Sequence, residues 1–247
     1  MSEPQRAPQP QPQPEPESGP VDEAPARRRR PATRKGRPTL TRELIAARAL
    51  RLAGAEGFPA VTMRRLADEL GVTVRALYNY VEDRQEVVDL AVQALLAEWE
   101  VPRLDPDRWE EGVRAYAARQ RALYRRHPRA LLVSLDERVR SVGVHPNRLR
   151  NPDAFLGLLR AIGLGAPDAL LVHHELALKL FAFTLLVDVR DEAAAGGPVP
   201  AEWLAAHRDL DVPHLAEAAT VPRPTPDRLF DHLVDTLVLS IRDRLST

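Results

Sequence analysis

The sequence predicts an all-α protein, and three observations carry that reading. Apolar residues recur at helical spacing through most of the chain, and no stretch shows the sustained alternation of a strand. Alanine and leucine are abundant while aromatics make up 5% of residues, a composition that suits helices better than sheets. Glycines, prolines and capping Thr or Asp residues punctuate the pattern at intervals of one helix length. At 247 residues and 44% apolar content there is room for one large or two small domains with a sizeable core.

Residues 1–38 stand apart. They hold 10 of the 23 prolines and almost no large apolar side chains, so they cannot bury enough surface to offset their ordering entropy, and a disordered Pro-rich and Arg-rich tail is expected. The whole chain balances 35 Lys and Arg against 35 Asp and Glu, but seven basic residues and no acid fall between Arg27 and Arg37. The absence of cysteine excludes disulfides, thiolate metal sites and cysteine nucleophiles. No apolar run reaches the roughly 18 residues of a membrane span, and residues 1–26 lack the apolar core of a signal peptide. A cytoplasmic protein with no membrane partner is therefore expected.

The first helix starts behind Thr41, a good N-cap, with Leu44, Ile45, Ala47, Ala49, Leu50 and Leu52 at helical spacing; Gly54 and Gly57 mark its stop. Thr62 caps a second helix from Met63 to Leu70, ended by Gly71, and Thr73 caps a short third helix from Val74 to Tyr80. Asp83 begins a fourth, striped by Val87, Val88, Leu90, Ala91, Leu95 and Leu96. Two short helices joined by a tight turn at a glycine, with helices packed around them, make a helix-turn-helix domain over residues 39–84. Residues 85–247 form a second helical domain. Its elements are a long amphipathic helix from Trp109 to Arg126, a short one from Arg129 to Leu135, and one starting at Asn151-Pro152 and running to Ile162. A very apolar helix runs from Ala166 to about Asp191, a weak one covers Glu202 to His207, and a last one runs from Pro226 to Leu245.

Ala67, Leu70-Gly71-Val72, Leu77-Tyr78 and Arg84 stand at the spacing of the DNA-binding segment of the TetR family of bacterial transcriptional repressors, which the chain resembles over roughly residues 41–98. The residues themselves agree. A helix that enters a major groove must be short, capped, and polar or small on its outer face. With Leu77 and Val81 turned to the core, Val74 to Tyr80 presents Arg75, Ala76, Tyr78, Asn79 and Tyr80 outward, with Val74 at its start. Arg75 suits guanine and Asn79 adenine. Tyr78, Tyr80 and Thr62 can donate to phosphates, and Arg64 can reach a base edge or a phosphate. The resemblance makes Arg84 a phosphate clamp. The alternative for Arg64, Arg75 and Asn79 is plain solvated surface. Arg27, Arg28, Arg29, Arg30, Arg34, Lys35 and Arg37 form an arm suited to a minor groove or to phosphates, against the alternative of a solvated charge run.

The resemblance further implies a homodimer on a double-stranded palindromic operator, joined by the helices Ala166–Asp191 and Pro226–Leu245 in a four-helix bundle. It also implies a ligand-binding and dimerisation role for the second domain, with release from DNA by a small organic effector. By position Trp99, Tyr116 and Gln120 face the effector pocket, and His173, His174 and Phe181 are further candidates for its wall. For each histidine, ordinary core or interface packing stays open. Ser134 falls near the place where tetracycline-specific members carry a histidine for a magnesium–drug chelate. That departure argues against tetracycline and for an uncharged or amphipathic organic molecule. No cofactor and no metal ion are expected. A regulator, activator or repressor, answering to a protein partner or to no ligand is the alternative. An enzyme finds little support. Gly163-Leu164-Gly165 lacks the strand and third glycine of a dinucleotide fingerprint, and His173-His174-Glu175, being consecutive on a helix, cannot share a zinc-binding face.

Overall fold

A computed structural model of the chain describes residues 33–34, 37–133, 137, 145–189 and 201–246. Residues 1–39 and 40–247 are separate compact units. In the first, Thr33–Arg34 (β1) pairs antiparallel with Arg37–Pro38 (β2), with Arg34 opposite Arg37, a two-residue ladder that the sequence pattern does not announce. Every regular element described in the second unit is helical.

Its first four helices are α1 (Arg42–Glu56), α2 (Met63–Leu70), α3 (Val74–Leu77) and α4 (Arg84–Ala97). The expected caps are in place. The side chains of Thr41, Thr62, Thr73 and Asp83 accept the N–H groups of Leu44, Arg65, Ala76 and Glu86 at 3.1, 3.2, 3.2 and 2.7 Å, each satisfying one of the amides that a helix start leaves orphaned. Gly71 stops α2 in the left-handed conformation (φ 64°, ψ 36°), which a glycine adopts without a Cβ penalty. Gly54 has another role than the expected stop. It lies inside α1, buried, where an added Cβ would stand 3.2 Å from His127 Cα and Nδ1, so it is a close approach between α1 and the chain after the fifth helix.

The larger lobe is built from α5 (Trp109–Arg126), α6 (Asn147–Ala161), α7 (Ala166–Phe183), α8 (Ala201–Ala206), α9 (Pro213–Thr220) and α10 (Pro226–Leu245). Of the stretch expected as a helix from Arg129 to Leu135, the part to Leu132 is the 3₁₀ turn Pro128–Leu132 and Val133 is helical, and the rest lies outside the described residues. The α6 helix starts four residues before the expected Asn151, because the Pro146 carbonyl accepts from Leu149 and Arg150 and so opens the first turn. Pro152 is tolerated inside it, at the loss of one bond to the exposed Arg148. The α7 helix runs through Phe183 and passes into a π-helical turn, Thr184–Asp188, with Val189 still helical; the expected end at about Asp191 lies outside the described residues. The α9 helix has no buried residue and so leaves no apolar periodicity to read in the sequence.

Two apolar cores result. One runs through α1 to α4 and takes in Phe58, Leu123 and Ala130. The other joins α5, α6, α7 and α10 around Phe155, Leu159, Leu180, Leu237 and Ile241. The first core continues along α4 to Leu96, beyond the expected boundary at residue 84, and Trp99 and Tyr124 pack against both. By length and composition Ala166–Asp188 could cross a bilayer, against the expectation that no segment would. The helix buries Ala169, Val172, Leu176, Leu180 and Phe183 against its neighbours, and only 28% of its most apolar stretch is covered. Leu170, Leu171, Leu178 and Leu186 stand in the open, Leu178 at 70% exposure.

Candidate nucleic-acid interface

The helix-turn-helix is seated by Leu66, Ala67, Leu77 and Val81, all buried, with Leu77 and Val81 facing inward as their four-residue spacing requires. Regular α3 geometry stops at Leu77, three residues short of the expected Tyr80. The chain continues as bonded turns, with Tyr80 N–H donating to Leu77 O at 2.8 Å and Val81 N–H to the same oxygen at 3.1 Å. This tightening brings Val81 into the core and leaves the Tyr80 carbonyl to accept from Arg42 Nη1 at 2.5 Å. Tyr80 is half-buried and packs against the core, so it presents less of its ring than expected. Tyr78 is 53% exposed, and Asn79 is exposed. Val74 and Ala76 are half-buried. The Thr62 hydroxyl, exposed, accepts the Arg65 amide and keeps its own O–H to give.

Arginine pairing divides the surface. Arg42 pairs with Glu86, Arg48 with Glu69 at 2.9 Å, Arg65 with Glu56 at 3.1 Å and Glu69 at 3.5 Å, and Arg84 with Glu137 at 2.5 Å. The hydrogen bonds to the Glu82 amide and to Arg42 hold the Glu86 carboxyl below the usual carboxylate range. Arg51, Arg64 and Arg75 have no such partner among the described residues. Arg64 and Arg75, the two expected readers, are exposed at the first turns of α2 and α3. An unpaired guanidinium keeps its fork of donors for a base edge or a phosphate.

Arg84 does not fit the expected phosphate clamp. Its Nε donates to Val61 O at 2.7 Å, its Nη2 to Phe58 O at 2.8 Å, and Nη1 and Nη2 to the Glu137 carboxylate at 3.1 and 2.5 Å. The guanidinium is turned onto the protein, and its bonds to Glu137 raise its affinity for its proton. Arg34 and Arg37 lie on the β1–β2 ladder, while Arg27, Arg28, Arg29, Arg30, Lys35 and Ser134 lie outside the described residues.

The expected effector residues do not share one environment. Tyr116 is buried and stacks on Phe155 with ring centroids 4.4 Å apart and 20° between planes, and burial pushes its phenol well above the usual range. Phe155 in turn lies 6.2 Å from the His173 ring. The His173 Nδ1 is buried without a partner, and desolvation, with the neighbouring His174, pulls its pKa down. Gln120 donates to the Tyr124 hydroxyl at 2.7 Å, an internal i, i+4 pair. His174 is exposed and bonded to the Leu170 carbonyl, and Phe181 is half-buried. Trp99 stands between the two cores, its carbonyl held by Asn147 and Asn151 at 3.2 and 2.7 Å. The structure thus brings Tyr116 and His173 to one aromatic cluster around Phe155, and the exposed His174 meets it only at the rim, its ring edge-on to His173 with centroids 5.6 Å apart. An open cleft of about 360 Å³ lies elsewhere, between α5 and α10, lined by Arg114, Ala118, Phe230, Asp231, Val234 and Asp235 and by none of the expected effector residues. Among the described residues no group of three His, Asp or Glu is placed to hold a metal ion.

Sequence reasoning missed a buried charge in the second core. Arg121 is 7% exposed and forms a two-bond pair with Asp188 at 2.7 and 3.0 Å, and a further bond to Asp227 at 2.9 Å. Its guanidinium carbon lies 5.0 and 4.5 Å from the ring centroids of Phe183 and Phe230. The signal was present, because Arg121 follows Val113 and Ala117 at four-residue intervals along the apolar face of α5.

Residues 45–90 match the family model of bacterial regulatory proteins, tetR family. The HTH-type transcriptional repressor DrrR1 of Streptomyces coeruleorubidus is 35% identical over 141 residues, 57% of this chain and half the length of that relative. An HTH-type transcriptional regulator of Saccharopolyspora erythraea is 28% identical over 183 residues, covering 73% of this chain and 75% of its own. The solved structure of the Streptomyces coelicolor TetR family protein ActR in complex with actinorhodin superposes with a TM-score of 0.65 at 28% identity, across 85% of this chain and all of that one.

Proposed function

From the premise that the chain belongs to the TetR family of bacterial regulatory proteins, we propose that it is a transcriptional repressor that binds a two-fold DNA operator as a homodimer and leaves it when a small organic molecule binds. The observation that carries DNA reading is the unpaired state of Arg64 and Arg75 in a domain where four other arginines are paired. Arg75, with Asn79, offers base-edge donors, while Thr62, Tyr78 and Tyr80 offer hydroxyls to phosphates. Val74 and Ala76 are small enough to let the backbone close on the groove. The basic residues Arg27 to Arg30, Arg34, Lys35 and Arg37 add a salt-sensitive attraction to the duplex.

The exposed leucines of α7 supply the dimer surface, since a two-fold site requires two readers held at a set distance. The effector site is the Tyr116–Phe155–His173 cluster with Trp99 and Gln120 beside it. Its stacked rings suit a planar aromatic molecule, and ActR, whose complex holds actinorhodin, supports that class. Release follows from linkage. A ligand that inverts a 99:1 population must prefer the DNA-incompetent arrangement by about 5.5 kcal/mol. A small rotation along α4 would then move half-site readers that must sit about 34–36 Å apart. The test is enrichment of a random duplex pool by the full chain, followed by gel-shift titration of the enriched duplex with actinorhodin. Release of the duplex is expected, and retention at saturating probe would overturn the ligand class.

A further inference from the structure

The Arg84–Glu137 pair connects the helix-turn-helix to the chain that follows α5. Arg84 is the first residue of α4, where the helix dipole disfavours a cation, so its place there is not set by the stability of α4. Its guanidinium holds the carbonyls of Phe58 and Val61, the turn immediately before the Thr62 cap of α2. Glu137 lies beyond the 3₁₀ turn Pro128–Leu132, and its N–H donates to Val133 O at 2.8 Å. Its side chain is only 10% exposed, and both carboxylate oxygens receive the Arg84 guanidinium. Covering a carboxylate to that degree offsets much of the attraction it gains, so such pairs serve geometry better than they serve stability.

Resting on the DNA-reading function proposed above, we propose that Glu137 is a positioning residue for operator binding: through Arg84 it fixes the turn from which α2 starts, and so the pose in which Arg64 and α3 meet the groove. The exposed Arg42–Glu86 and Arg65–Glu56 pairs tie the helix-turn-helix domain only to itself.

The test uses the full chain and the duplex that the wild type enriches from a random pool. Glu137→Gln keeps the side-chain shape and removes the charge. It is expected to weaken binding to the enriched duplex about tenfold, the size of coupling found between residues in one network. Binding to a mixed-sequence duplex is expected to stay within about twofold, because the free Arg64 and Arg75 are untouched. Amide exchange is expected to rise at Phe58–Leu66 and not across the second core. Arg84→Lys combined with Glu137→Gln is expected to bind no more weakly than Arg84→Lys alone, and Glu56→Gln, which breaks an exposed pair, is expected to bind as the wild type. Wild-type discrimination in Glu137→Gln, additive losses in the double variant, or exchange raised uniformly through the chain would each overturn the proposal. A wild-type chain that enriches no sequence would instead overturn the DNA-reading function beneath it.

Discussion

The two lobes of the helical unit break the ordinary rules of burial in opposite ways. In the helix-turn-helix lobe the core is wholly apolar, and the anomaly lies outside, where Arg51, Arg64 and Arg75 have no acidic partner among the described residues while Arg42, Arg48, Arg65 and Arg84 are paired. In the larger lobe the anomaly is doubled: an arginine is buried while leucines face outward. Unpaired surface guanidinium groups fit a polyanion, and an exposed apolar stripe fits another apolar stripe. The difference is what the proposed function asks for: nucleic acid at one lobe and a second copy of the chain at the other.

The largest expected effect lies at the buried charge. Asp188→Asn leaves Arg121 without its two-bond partner between Phe183 and Phe230, and should destabilise the chain by about 3–5 kcal/mol in urea unfolding. A loss below about 1 kcal/mol, the range of exposed pairs, would show that Arg121 is solvated in the native state. Next comes the stripe. Leu178→Glu puts a charge at the middle of the exposed leucines and should convert dimer to monomer in sedimentation. Operator affinity should fall by about 10²-fold as the linked second contact is lost. An unchanged dimer would move the interface away from α7.

Within the reading lobe, Arg75→Ala should cost about 1–3 kcal/mol of operator binding and relax the preference at one base pair, whereas Arg64→Ala, if it meets a phosphate, should lower the salt slope by about 0.9. Arg48→Ala, which removes an arginine already paired with Glu69, should change neither. Equal losses at Arg48 and Arg75 would erase the distinction between paired and free arginines. The smallest effect concerns His173. Burial, and then His174, holds its pKa below the ordinary 6.5, so as pH falls through 6.5 the unfolded chain takes up a proton that the folded chain resists. Stability is thus lost on the acid side of 6.5, and His173→Phe should flatten that loss when urea midpoints at pH 7.5 and 5.5 are compared. Parallel slopes in the two proteins would place His173 in solvent.

The reading lobe was the more legible of the two because its signals are local. Thr41, Thr62, Thr73 and Asp83 announce their helices through caps that need no partner from afar, and the spacing of Leu77 and Val81 decides which side of α3 faces out. What the spacing could not show was Arg84, whose role depends on Glu137, 53 residues away. The larger lobe follows tertiary context. The π-helical turn that ends α7 brings Asp188 to Arg121, the early start of α6 opens at Pro146, and its Asn147 and Asn151 hold the Trp99 carbonyl. Pro152 reads as a helix start because proline favours the first turn, yet here it stands in the second. The aromatic cluster is half visible in the sequence: Tyr116 and His173 stand out there, but Phe155, which joins them, is an ordinary core residue by its spacing.

The most direct test counts chains on DNA. Sedimentation of the full chain with the duplex it enriches should give two chains per duplex, on half-sites separated by about one helical turn. One chain per duplex, or equal affinity for every duplex offered, would contradict the account.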